Sequence, residues 1–284
     1  MTDSQFSLAH FRNVIGDTGL AVSPIGLGTV KLGRNQGVKY PSGFELPNDK
    51  NAANLIAQAK DLGINLIDTA PAYGISEQRL GPLLQGQRHD WVICSKVGEE
   101  FEQGPGFEQG RSHFDFSAAH TRRSVERSLR RLQTDFIDLV LIHSDGNDLD
   151  IINHGEALDT LAILKREGLI RAFGMSTKTV EGGIEAAKRS DCVMVTYNLN
   201  HREEEPVLDY CAAQRKGVFI KKALASGHLA LATDCDPVQA SMDFLYAHPA
   251  VSSAIIGTIN PQHLTDNCRK AFNTLSHLSV SNTE

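Results

Sequence analysis

Eight short runs rich in β-branched residues, separated by longer amphipathic stretches, limit most strongly what this chain can fold into. The runs are Ile25 to Thr29, Asn65 to Thr69, Trp91 to Lys96, Ile137 to His143, Ala172 to Ser176, Val193 to Asn198, Val218 to Lys222 and Ala254 to Thr258. Strand and helix in strict alternation lead to a parallel sheet with crossover helices. Eight repeats close such a sheet into an α/β (β/α)8 TIM barrel, a fold that commonly takes about 250 residues. The chain has 284 residues and no linker or low-complexity tract, so residues 1–284 read as one barrel domain.

The intervening stretches carry helix signals. From Asn51 to Leu62 the apolar positions Ala52, Ile56, Ala59 and Leu62 recur near a helical period, and Gly63 follows as a stop. Ser117 to Leu132 puts Val125, Leu129 and Leu132 on one stripe, and Gly155 to Glu167 does the same with Leu158, Leu161 and Leu164 before Gly168. Asp236-Pro237 and Asn260-Pro261 pair a capping residue with proline at the first helical position. Two segments fall outside the repeat. Arg12 to Ser23 alternates around Gly16-Asp17 and predicts an N-terminal β-hairpin that plugs the barrel's bottom. Gly98 to Phe116, glycine-rich with interleaved phenylalanines, reads either as a loop over the barrel mouth or as a disordered insertion.

Lys and Arg total 28 against 34 Asp and Glu, a net charge of -6, which leaves no basic footprint for nucleic acid or anionic membrane. No apolar run approaches the roughly 18 residues of a spanning helix, and the first residues lack a secretory pattern, so a cytoplasmic location is expected. The five cysteines (Cys94, Cys192, Cys211, Cys235 and Cys268) are scattered and never form a CxxC pair. They read as free thiols, and no spacing of the histidines suggests a metal site.

In a barrel of this kind, chemistry sits at the carboxyl ends of the strands. Asp68, Lys96 and His143 end predicted strands two, three and four, and Tyr73 follows Asp68 by five residues. A tyrosine with a neighbouring ammonium makes a usable proton donor, because the positive charge lowers the phenol's pKa. Asp68 would balance Lys96, and His143 would hydrogen-bond the oxygen that receives the proton. With no metal and no strong nucleophile, this set suits proton donation to a carbonyl whose carbon takes up a hydride.

The blocks NLIDTAPAYGISEQRLG, WVICSKVG, DFIDLVLIHSD, GMST and AIIGTINPQHLTDN, in that order, resemble the aldo-keto reductases over nearly the whole chain. The resemblance implies a barrel that binds a nicotinamide cofactor across its mouth without a Rossmann domain. It implies reduction of a small-molecule aldehyde or ketone, or oxidation of the alcohol, with Tyr73 as general acid and Asp68, Lys96 and His143 as its catalytic partners. It also implies NADPH/NADP+ rather than NADH as cofactor, and a monomer. Cofactor contacts are expected at Gly28, Thr29, Asp68, Ser176, Thr177, Tyr197, Lys221, Lys222, Leu224, Ser226, Gly227, Gly257, Thr258, His263 and Asn267. Three positions depart from the family's pattern. Thr177 stands for an Asn, Met194 for a Gln, and Lys221 for the aromatic residue that stacks on the nicotinamide. Those departures motivate an alternative, a catalytically weak nucleotide-binding barrel that acts as a redox sensor or regulatory subunit.

Overall fold

The computed structural model describes residues 6–38, 40, 43–104, 107–227 and 236–281. An antiparallel hairpin comes first, β1 (Asn13–Val14) with β2 (Ala21–Val22), turned by Gly16 and Gly19 at positive φ. The barrel then begins with β3 (Ile25–Gly28), β4 (Leu66–Asp68) and β5 (Val92–Val97). A second hairpin, β6 (Glu99–Gly104) with β7 (Phe107–Phe114), precedes β8 (Ile137–His143). The remaining strands are β9 (Ile170–Ser176), β10 (Cys192–Thr196), β11 (Gly217–Lys221) and β12 (Val251–Ile256). All eight barrel strands pair in parallel, and β12 closes on β3. The expected (β/α)8 barrel with an N-terminal β-hairpin is therefore present.

Helices follow the strands and cover the outside. Asp49–Asp61 starts where the Asn48 side chain accepts from the Asn51 amide, and Ala118–Leu132 where Ser117 accepts from His120. Asp236 caps Pro237–Tyr246 by accepting from the Val238 and Gln239 amides. The expected Gly155 to Glu167 helix is Ala157–Arg166, preceded by a separate helix, Asp148–His154.

Two apolar layers hold the barrel. Between strands and helices lie Ile67, Ile93, Val140, Val193 and Ile220 against Ile56, Val125, Leu161, Leu208 and Leu264. Inside the barrel, Leu66, Cys94, Leu139, Leu141, Met194 and Phe219 form a second cluster with Ile15, Leu20 and Val22 of the hairpin. The hairpin thus fills the amino-terminal end, as its alternation predicts.

Within the Gly98 to Phe116 segment, Glu99–Gly104 and Phe107–Phe114 pair as an antiparallel β-hairpin where the sequence reading had no strands. Its register runs from Glu99 opposite Phe114 to Glu102 opposite Arg111. The glycines have local duties there. Gly98 adopts φ +98° with the Phe116 ring against it, and Gly110 at φ +76° lies under the Phe101 ring, where a Cβ would sit 1.9 Å from Cζ.

Candidate active site

Side chains alternate in and out along a strand, so the residue two beyond an interior one also points inward. Leu66 leads to Asp68, Cys94 to Lys96, Leu141 to His143 and Phe219 to Lys221. Register steps these ends from strand to strand: Asp68 is paired with Cys94, two residues before Lys96, Lys96 with Leu141, two before His143, and His143 with Ser176. The interior column is apolar up to the last pleat and ionisable there. It opens into a cleft of about 750 Å³ lined by Asp68, Tyr73, Lys96, His143, Ser176 and Lys221 among others.

Tyr73 arrives from a turn after β4 that is clasped by its neighbours. Gly74, at φ +62°, packs so tightly on Gly33 that a Cβ would lie 2.2 Å from the Gly33 carbonyl oxygen. Beneath it runs a hydroxyl chain: Thr69 Oγ1 donates to Ser76 Oγ at 3.0 Å, Ser76 to Thr29 Oγ1 at 2.8 Å, and Thr29 to the Asp68 carbonyl at 2.8 Å. Lys96 Nζ donates to Asp68 Oδ1 at 2.5 Å and to the Thr69 carbonyl at 2.9 Å. The Tyr73 hydroxyl donates to Asp68 Oδ2 at 3.3 Å, and Lys96 Nζ lies 4.7 Å from the centre of its ring. His143 meets the Tyr73 ring edge-on, with centroids 6.5 Å apart. All four residues that the sequence singles out thus share one cleft.

Burial dominates the electrostatics. It pushes the Tyr73 phenol above its ordinary pKa, the Asp68 carboxylate adds to that, and Lys96 offsets only part of it. The net sign is opposite to the sequence expectation of a lowered phenol. The main reason is burial of the phenol; Asp68, which touches Lys96 and Tyr73 together, adds to it. Burial would strip Lys96 of its proton, but Asp68, with Tyr73 and Cys94 adding, outweighs that and raises its pKa. The Cys94 thiol is pushed well up by burial and packs as an inert group.

The cofactor positions expected from sequence divide. Gly28, Asp68, Ser176, Lys221, Lys222, Leu224, Gly227, Gly257, Thr258, His263 and Asn267 line the cleft. Thr29, Thr177 and Tyr197 do not. Thr29 is consumed in the hydroxyl chain, and Tyr197 stacks on Phe244 at 4.7 Å while its hydroxyl donates to Glu205 at 3.1 Å. Thr177 is buried, its carbonyl accepts from Lys221 Nζ at 2.5 Å, and its hydroxyl has no partner. The Ser226 side chain lies outside the described residues. Lys221 Nζ also donates to Ser176 Oγ at 3.0 Å. Burial first, then Lys222 and Lys178, bring the Lys221 pKa down to about 8 against the opposing pull of Glu204 and Asp148.

Lys31, Tyr40 and Phe44 are among the cleft-lining residues that the sequence does not single out. Lys31 places Nζ 4.2 Å over the Tyr40 ring and 5.2 Å over Phe44, two aromatic groups from the connection after β3. The sequence of that connection, VKLGRNQGVKYPSGFELP, alternates too irregularly to assign inward positions. Glu99 was missed as well, although it follows Lys96 by three residues, because the segment was not read as a strand.

A sequence model described as the Aldo/keto reductase family matches residues 24–234. The chain therefore belongs to that family of oxidoreductases, which use nicotinamide cofactors. Among solved structures it is similar to one from Pseudomonas aeruginosa assigned to the aldo-keto reductases, at 60% identity and a TM-score of 0.86 over 97% of this chain and 99% of that one. The holo form of an aldo-keto reductase from Bacillus halodurans matches at 28% identity and a TM-score of 0.77, over 91% of this chain and 90% of that one. An oxidoreductase of Bacillus subtilis, YqkF, is 29% identical over 92% of this chain and 90% of its own length. Among the described residues no helix is long and apolar enough to cross a membrane.

Proposed function

We propose that this chain is an NADP(H)-dependent oxidoreductase that interconverts a small aldehyde or ketone and its alcohol, with Tyr73 as general acid. The observation that carries this reading is the convergence of Tyr73, Asp68, Lys96 and His143 on one cleft. The cleft's polar lining fits an anionic dinucleotide: Lys221, Lys222, Thr258, Asn267 and His263 all line it. Gly28 and Gly257 narrow its floor between β3 and β12, where a Cβ on Gly28 would come within 3.4 Å of the Gly257 backbone. The family's cofactor supplies a hydride to the carbonyl carbon.

The protein's own residues do the rest. In the cofactor-free cleft burial keeps Tyr73 protonated, and the Lys96 ammonium is the group that opposes the rise in its pKa and favours release of the proton. As the carbonyl oxygen gains negative charge, the phenol proton moves to it. The buried Lys96 ammonium stabilises the phenolate left behind, and Asp68 holds Lys96 in place. His143 supplies a second polar contact to the same oxygen. Lys31, Tyr40 and Phe44 form one wall for the remainder of the substrate.

Calorimetric titration of the purified chain with NADPH and with NADH tests the assignment. Micromolar binding of NADPH, much weaker binding of NADH, and turnover with a panel of aldehydes and ketones are the expected results. Tight NADPH binding with no turnover on the panel would favour the sensor alternative, and binding of neither nucleotide would end the enzyme reading.

A further inference from the structure

Glu99 opens β6 directly after the turn at Gly98, which brings its carboxylate back to the barrel mouth. That carboxylate accepts from Ser112 Oγ at 2.6 Å, across the hairpin, and stands 2.6 Å from His143 Nδ1. Nδ1 is sealed from solvent, and the carboxylate approaches it closely but off the line of an ideal hydrogen bond. Two acceptor lone pairs do not sit this close unless one atom carries a proton. Burial opposes ionisation of Glu99, but His143, Ser112 and the Arg34 charge prevail and bring its pKa down to about 2, so the proton belongs to Nδ1.

We propose that Glu99 is a positioning residue for His143: it keeps the ring proton on Nδ1 and leaves Nε2 as the nitrogen that meets a ligand oxygen in the cleft. The assignment rests on reading the cleft as a carbonyl site. Its consequence is a defined proton inventory. A neutral ring then offers Nε2 as an acceptor, suited to an alcohol O–H, and only the imidazolium offers an Nε2–H to a carbonyl oxygen. Several groups face this ring. Burial lowers its pKa, Glu99 raises it, and Lys96 and Lys221 lower it again. The Tyr73 ring lies edge-on to it, and Arg34 faces Glu99 from the connection after β3. Without Glu99 only the lowering influences remain, and neither tautomer is enforced.

Long-range proton–nitrogen NMR spectra of the cofactor-free full chain test this, with His143 assigned by its absence in His143→Gln. The neutral wild-type ring should carry its proton on Nδ1. In Glu99→Gln the Nε2–H form should become populated and the titration midpoint should fall. Glu99→Asp, which keeps the charge, should restore the Nδ1 proton. Ser112→Ala, which loosens the hairpin but keeps the carboxylate, should retain it. A wild-type ring protonated on Nε2, or a tautomer and midpoint unchanged in Glu99→Gln, would overturn the proposal. Since the spectra need neither cofactor nor substrate, inactivity toward every carbonyl would count against the enzymatic reading and not against this one.

Discussion

The two ends of the barrel are built from the same strands by the same alternation, yet they differ in what the inward positions carry. At the amino-terminal end the column is apolar: Leu66, Leu139 and Phe219 pack with Ile15, Leu20 and Val22 of the first hairpin. At the carboxyl end, one pleat beyond the last apolar residue, stand Asp68, Lys96, His143 and Lys221. The lower end is closed by hydrophobic burial, which tolerates volume-conserving exchange. The upper end is held by a few directed contacts whose charges balance only as a set. A substitution therefore reports which end it touches: below it should cost stability and spare turnover, above it should cost turnover.

Lys96→Met should break the upper end most severely. It leaves the Asp68 carboxylate buried without its 2.5 Å partner, a change that typically costs about 3–5 kcal/mol, and it removes the cation that stabilises a Tyr73 phenolate. Denaturant unfolding and steady-state kinetics should both register it. Tyr73→Phe separates the two effects. It removes only a hydroxyl bonded at 3.3 Å, so kcat should fall about 10² to 10⁴-fold with little change in unfolding free energy.

Leu139→Ala is the converse at the lower end. It opens a cavity in the inner cluster at a cost of about 2–5 kcal/mol, read as a lower denaturation midpoint, while kcat of the remaining folded enzyme stays near wild type. A large kcat loss there would show that the ends are coupled. Smallest is the effect of pH on Lys221. Its pKa of about 8 lies below the ordinary value for lysine, so the ammonium is present below pH 8 and lost above it. NADPH, an anion, should bind a few-fold more weakly as pH rises through 8, and Lys221→Met should flatten that dependence. The same shift has a stability sign: the unfolded chain holds this proton up to its ordinary, higher pKa, so between the two values the Lys221 contribution to stability rises with pH.

Most of the upper end was legible because periodicity places it. Knowing that Leu141 is interior is enough to point His143 inward, and the same step connects Cys94 to Lys96. The N-terminal hairpin was legible for a similar reason, since Ile15, Leu20 and Val22 alternate around a glycine turn. What escaped was set by contacts between segments distant in sequence. Glu99 reaches His143 across 44 positions, a partnership that depends on β6 and β7 pairing, and the glycines of that segment masked the pairing. The sign of the Tyr73 shift escaped because it depends first on how deeply the phenol is buried and then on Asp68 touching both neighbours, which no spacing reveals. The Lys31 contact with Tyr40 and Phe44 depends on the path of an irregular connection.

The central claim, that the upper end is a proton-donating site with Tyr73 as its acid, is tested most directly by measuring kcat and the NADPH dissociation constant on Tyr73→Phe in parallel. A fall in kcat of about 10² to 10⁴-fold with the dissociation constant nearly unchanged is the predicted result. An unchanged kcat, or an equal loss of NADPH affinity, would contradict it.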